Sequence, residues 1–409
     1  MFPPSRRFIL RNIARSSKAI IAANEDNSDS EYMDHITNQY TPTGFSVEEI
    51  RDLGRFPDYA TFSGVPLPKP YEKFYIEKAL PRPYRPFRWP YHQTMALSRM
   101  DNDWWIELDN TYRERIDQRK ALRRDYGNLV MDCLPGSELA CRELMEMVIQ
   151  FLCARYPHYF SCDGMTLHNN ILDSTQDITS FHPLDVLFDN IPEDFAIMTR
   201  DDKTGEYIFR AGIICYSMGW TLGDKLGLGL DDIHDPVPDY LEKIGFSIKR
   251  FFAKIPTDKP IQRAAWSIEG GKILLLPKDH PEVTREPRQD PNLRLEDCHL
   301  RVDWQTLRRL PLSGAVVFNF KANFTPVTEF RDEPGIPSLL LKILHDSKKS
   351  LLEYKKIWPV EHVIVPHLKM WKAEQEDKGV VDRNWEVSTL ANSPYFEGWE
   401  DKWHHQQGF

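Results

Sequence analysis

No run in this 409-residue sequence reaches the roughly 18 consecutive apolar residues of a membrane-spanning helix, so no transmembrane segment is expected. A basic excess is also lacking: the formal net charge is -9, which argues against a nucleic-acid partner, since such proteins carry a basic footprint. The six cysteines (Cys133, Cys141, Cys153, Cys162, Cys215 and Cys298) include no C-x-x-C pair and no zinc-like spacing. They read as thiols of a reducing compartment, not as a disulfide framework. His158 and Cys162 share a segment, but nothing nearby supplies the other ligands of a zinc site. The glycines at 223, 227 and 229 do not make G-x-G-x-x-G, and there is no G-x-x-x-x-G-K-[ST], G-x-S-x-G, H-E-x-x-H or EF-hand loop. Flavin, nicotinamide and iron–sulfur signatures are missing too, so any electrons this chain uses come from elsewhere.

What is present is a globular composition, 41% hydrophobic and 12% aromatic. Residues 1–24 carry Arg6, Arg7, Arg11, Arg15 and Lys18 without one acidic residue, and isoleucines interleave at roughly helical spacing. That is either a transit peptide of mitochondrial type or a disordered basic arm, so the expected location is mitochondrial or cytoplasmic. Residues 25–60 are polar and acidic and read as a linker. The organisation expected is therefore an amino-terminal arm over 1–60, a folded domain over 61–357 and a carboxy-terminal tail over 358–409, Trp- and His-rich but without periodicity.

Within the domain, prolines from Pro66 to Pro90 exclude helix and predict an extended segment laid over a surface. Helices are expected over 104–124 and 137–155, the second from the stripe Leu139, Leu144, Met147, Val148, Phe151 and Leu152. Further helices are read at 183–188, 248–252 and 339–354. Strands are expected entering Met198 and over 207–216, 262–269, 273–276, 300–310 and 314–324, with a turn at 200–205 and a charged surface insertion at 277–297. Helices first, then about five antiparallel strands, make this an α+β protein with no internal repeat.

The stretch 220–240 organises the rest. Glycines break it, and then Ile233-His234-Asp235-Pro236-Val237-Pro238 holds a histidine before two prolines that stiffen the backbone. A stiff mount is what a single axial metal ligand needs; an ordinary capped turn with a solvent-facing histidine is the commoner reason for the same pattern. Glu193 and Asp194 precede a buried-looking strand, where a carboxylate is either paired, used, or a strand-edge cap. Arg263, Arg301 and Arg308-Arg309 sit at strand ends, and Lys225 shares the histidine stretch; these cations can clamp carboxylates or simply balance acidic surface.

Together these stretches resemble one family, the haem-dependent oxidative N-demethylase α-subunit-like proteins. The matching pieces are Pro86-Phe87-Arg88-Trp89-Pro90, Pro192-Glu193-Asp194-Phe195, Trp220 through Lys225 to Gly229, the Ile233–Pro238 piece, Arg263-Ala264-Ala265-Trp266 and the long motif Leu300 to Pro311. They span roughly 80–355. The chain departs from the pattern at Asp303 and Trp304, where the family carries Glu and Arg, and at Ala264-Ala265. The resemblance implies a PAS-like antiparallel sheet with flanking helices, and a b-type haem whose iron His234 ligates. It implies Arg263, Trp266, Arg301 and Lys225 as cofactor contacts. Glu193 or Asp194 becomes the carboxylate that holds a cationic amine, with Tyr91 and His92 as further pocket candidates. The implied reaction activates O2 and oxidises a small secondary or tertiary N-methyl amine, releasing formaldehyde. Reduced flavin and a [2Fe–2S] cluster would lie on a separate electron-transfer partner. A haem-binding PAS sensor without turnover, and a scaffold without haem, are the alternatives.

Overall fold

In the computed structural model residues 40–92 and 94–408 are described; the basic segment 1–24 and residues 25–39 of the acidic stretch lie outside them. Two short helices open the described chain, each fixed by a local cap. Ser46 caps Val47–Leu53 in a reciprocal box with Glu49, and the Asp58 side chain accepts from Thr61 N–H at the start of Tyr59–Ser63. This part of the expected linker is therefore ordered helix. The proline-rich run is extended as its composition requires, and it is inserted rather than laid on: Tyr84, Arg85 and Phe87 are all buried.

The centre is a seven-stranded antiparallel sheet in the order β1-β8-β9-β10-β6-β7-β2. Its strands are β1 (Ser98–Arg99), β2 (Met131–Cys133), β6 (Asp194–Arg200), β7 (Tyr207–Ile213), β8 (Ile261–Gly270), β9 (Cys298–Arg309) and β10 (Val316–Pro326). A separate three-stranded sheet pairs β3 (Phe160–Asp163), β4 (Thr166–Asn169) and β5 (Ser174–Asp177). Side chains alternate across a strand, so the register assigns every residue of β8, β9 and β10 to a face. Arg263, Gln305 and Phe320 share one face, as do Ala265, Asp303 and Ala322; Ala264, Trp304 and Lys321 share the other.

On the second face the helices Ile336–Asp346 and Trp358–Asp377 cover Trp266, Ile268, Leu300 and Val302 in one apolar cluster. The helix Trp358–Asp377 corrects the expectation of an aperiodic tail: Val360, Ile364, Leu368 and Trp371 recur at three and four and are buried. A last helix, Trp399–Gln407, closes back on the amino-terminal part through Trp403 Nε1, which donates to the Leu80 carbonyl at 2.9 Å. The expected helix over 339–354 is two, Ile336–Asp346 and Lys349–Tyr354. The helix expected from Trp104 begins only at Tyr112 and runs to Tyr126. Residues 273–276 form no strand; only Leu276 makes a bridge, with Met218.

The first face is covered by the chain between β7 and β8. Helix Phe246–Lys254 is tied to it by Arg309, whose Nε donates to the Ile255 carbonyl at 2.7 Å. This layer also carries Leu222–Lys225 and Leu230–His234. Its cover is incomplete over β8 and β9. Asp303 and Gln305 lie on an interior strand yet remain partly exposed, as do Arg263 and Ala265 beside them. An interior strand is hydrogen-bonded on both edges, so this exposure is through the face. The sheet has an open floor there.

Candidate functional site

His234 ends its short helix and is half-buried. Its Nδ1 lies 2.7 Å from the Leu230 carbonyl, and a carbonyl can only accept, so Nδ1 carries the proton and Nε2 the lone pair. The ring stacks on Tyr240 with centroids 4.8 Å apart and planes 2° from parallel. Burial lowers the pKa of His234, and the charges of Lys225 and Arg263 lower it further against the Leu230 bond and Asp231. The imidazole is therefore held neutral, in one tautomer and one orientation, with Nε2 free to bind an electrophile. That is the donor state of an axial ligand.

Two cations accompany it. Lys225 donates to the Ile233 carbonyl at 3.1 Å and lies 4.1 Å over Trp220, and burial lowers it to about 8. Arg263 has a buried Nε without a hydrogen-bond partner, and burial lowers its pKa. Lys355, which sequence reasoning passed over, stands by the same strand: Nζ contacts the Trp266 carbonyl at 2.5 Å and lies 4.3 Å over the Trp266 ring. Burial, with Arg263 nearby, lowers Lys355 to about 7 although Asp303 opposes it. Lysines at a helix end are usually solvated, so nothing in Lys355-Lys356 marked the first as buried. Asp303 was passed over as well; its side chain is 27% exposed on the open floor and accepts from Arg301 Nε at 3.0 Å.

The other expected residues fall elsewhere. Asp194 is fully buried: Arg119 Nη1 donates to Oδ1 at 2.6 Å, and the Cys215 and Tyr216 amides both donate to Oδ2 at 2.7 Å. Burial raises its pKa, and Arg119 with the two amides limits the rise. Glu193 turns to the opposite face of the sheet from Asp194. It accepts from the Glu107 amide at 3.0 Å and from Asn319 Nδ2, and burial pushes it up to about 7. The void beside Glu193 measures about 10 Å³, room for one water rather than for an amine. The structure thus brings neither carboxylate to His234.

Arg301 donates through Nη1 to the Ile273 carbonyl at 3.0 Å, through Nη2 to the Tyr216 carbonyl at 2.8 Å and through Nε to Asp303. All three nitrogens already have partners. Trp266 lies on the face away from His234, edge-on to Phe87 at 4.9 Å. Tyr91 is half-buried, 5.9 Å from Trp266, and burial raises it to about 12; His92 is exposed.

Of the expected set, only Lys225 and Arg263 therefore act on His234, and Arg263 also acts, with Asp303, on Lys355. A neutral nitrogen donor and a buried Arg263 Nε without a hydrogen-bond partner are groups that a carboxylate-bearing metallo-cofactor would engage. A family model described as haem-dependent oxidative N-demethylase, alpha subunit-like, matches residues 96–365, and the chain belongs to that family.

Proposed function

We propose that this member of the haem-dependent oxidative N-demethylase alpha-subunit-like family is the haem-bearing component of a monooxygenase-type demethylase acting on a small N-methylated amine. One observation carries the reading: His234, fixed through Leu230 and Tyr240, offers a bare Nε2 beside the open floor of the sheet. The fold is read as PAS-like, an antiparallel sheet whose first face and crossover helices would hold the cofactor. A haem bound there supplies reductive O2 activation and N-methyl oxidation with loss of formaldehyde.

His234 would ligate the iron, and its Nδ1–H, donated to the Leu230 carbonyl, keeps the ring from rotating. Arg263 and Lys225 would meet the cofactor's carboxylates, and an acceptor would satisfy the Arg263 Nε that now has none. Asp303, rather than Glu193 or Asp194, is the carboxylate positioned to hold a cationic amine, since it alone of the three faces the open floor. Its bond to Arg301 holds it oriented. Electrons would come from a separate partner bearing reduced flavin and a [2Fe–2S] cluster. Residues 61–357, with the helices after them, form the catalytic unit, and 1–24 act as a mitochondrial targeting segment.

The test is the absorption spectrum of protein expressed with haem supply, ferric and dithionite-reduced, for the wild type and His234→Ala. The expected result is a Soret band that weakens or shifts in the variant. A wild type without a Soret band refutes the proposal.

A further inference from the structure

The motif that ends β9 holds two arginines with opposite circumstances. Arg309 has a partner for every nitrogen: the Ile255 carbonyl for Nε, Tyr207 Oη and the Gly314 carbonyl for Nη1, and the Phe252 carbonyl for Nη2. Arg308, one residue earlier, points to the other face and is only 5% exposed. Its Nε is buried without a hydrogen-bond partner. Among the described residues no carboxylate ion-pairs with it. Burial lowers it to about 10, which still leaves it a cation at neutral pH. Glu143, the acid whose charge acts on it, already accepts from the Leu312 amide at 2.5 Å and the Ser313 amide at 2.8 Å.

An unpaired buried charge destabilises a fold, and a counter-ion taken from solution relieves that cost. The space beside Arg308 decides which ion. The cleft it lines holds about 30 Å³, room for one or two water molecules. Trp105 lies 3.9 Å from the guanidinium and packs edge-on to Phe151 with centroids 5.6 Å apart, so that wall is closed. The indole covers one face of the guanidinium and leaves the N–H edges, which lie in its plane, to meet a ligand. Half-buried Asn102 lines the cleft too and carries an amide NH2. An organic acid or a tetrahedral oxyanion exceeds this room. A halide is little larger than water and carries the single charge that one guanidinium neutralises.

We infer that this cleft binds one halide ion, chloride in the cell, on the N–H edge of Arg308, as the counter-charge of the buried guanidinium. Arg309 reaches the layer that carries His234, and Arg308 points away from it. The site is therefore distinct from the proposed haem site and stands whether or not haem binds. Charge-assisted N–H bonds hold the ion, and the Trp105 ring keeps the fork in place.

The test is scanning calorimetry of the full chain, dialysed free of halide and titrated with sodium bromide while sodium sulfate holds the ionic strength constant. The wild-type midpoint is expected to rise along a one-site saturation curve, by at least about 2 °C at about ten times the half-saturating concentration. Arg308→Met has no charge to neutralise and should show only the unsaturating trend of the changing salt. Diffraction from bromide-soaked wild-type crystals at the bromine absorption edge should give an anomalous peak within hydrogen-bond distance of the Arg308 guanidinium, a readout that does not depend on the variant folding. The inference is overturned by a wild-type midpoint without a saturable bromide response, by the same response in folded Arg308→Met, or by the absence of that peak.

Discussion

Asp194→Asn separates a structural carboxylate from a catalytic one. Both members of the Asp194–Arg119 pair have fully buried side chains, and Arg119 Nε and Nη2 already lack hydrogen-bond partners. Asparagine keeps the shape but must choose. If its oxygen faces the Cys215 and Tyr216 amides, its NH2 faces Arg119; if the oxygen faces Arg119, the NH2 faces the two amides. Either way buried donors oppose buried donors, and the Arg119 charge loses its counter-ion. Breaking a buried pair in this manner costs about 3–5 kcal/mol. At roughly 2–3 °C per kcal/mol for a large domain, the midpoint should fall by about 6–15 °C. Scanning calorimetry of the variant measures it, with the haem spectrum recorded well below the midpoint. A fall of less than about 2 °C accompanied by loss of amine-dependent turnover would refute the reasoning and return Asp194 to the chemistry.

Four further outcomes are expected. Asp303→Asn should raise KM for a cationic amine by about tenfold or more with the Soret band retained, the scale of one charge-assisted bond; unchanged steady-state kinetics would remove Asp303 from the site. Arg263→Met should weaken haem retention by about tenfold in a transfer assay to an acceptor haemoprotein, without abolishing ligation by His234. Burial pushes Glu143 up to about 7, so its folded state holds the proton more tightly than the unfolded chain does. That contribution is fully present below the unfolded carboxyl pKa and is lost as pH rises toward 7, so urea midpoints should fall across this window in the wild type and fall less in Glu143→Gln. Trp304 stacks on Tyr84 with centroids 3.8 Å apart, and Trp304→Ala should cost about 3–5 kcal/mol in urea unfolding.

Much of the sheet was legible because a strand with one buried face shows its period. Residues 316–320 alternate, and β9 and β10 fall close to where that alternation placed them. Helix Glu138–Arg155 was legible from its stripe. The helix Trp358–Asp377 carried the same kind of stripe, but Pro366 lies inside it and Trp and His obscure the contrast with its polar face. The early helices had their start signals in Ser46 with Glu49 and in Asp58, within a stretch whose acidity reads as linker. Residues 273–276 show the opposite error. They are apolar enough for a strand, but the Ile273 carbonyl is taken by Arg301 instead of a ladder.

The site was legible in part, and the reason lies in chain distance. The prolines after His234 do mark a constrained histidine, yet what fixes its ring is a carbonyl four residues back and a tyrosine six residues on. The burial of Glu193 and Asp194 could be read from their setting. Their commitment could not, because the groups that engage them come from Arg119 and Asn319, on a distant helix and a neighbouring strand.

Motifs also group what a sheet divides. Adjacent strand residues point to opposite faces, so Glu193-Asp194 and Arg308-Arg309 each place one member on either side. Arg263 and Trp266, three apart, are divided in the same way. A contiguous motif therefore reports two environments at once, and neighbouring residues in it should not be assigned to a single pocket. Residues two apart can share one, and Arg301 with Asp303 does so, a charged pair that adjacency in sequence would not have joined.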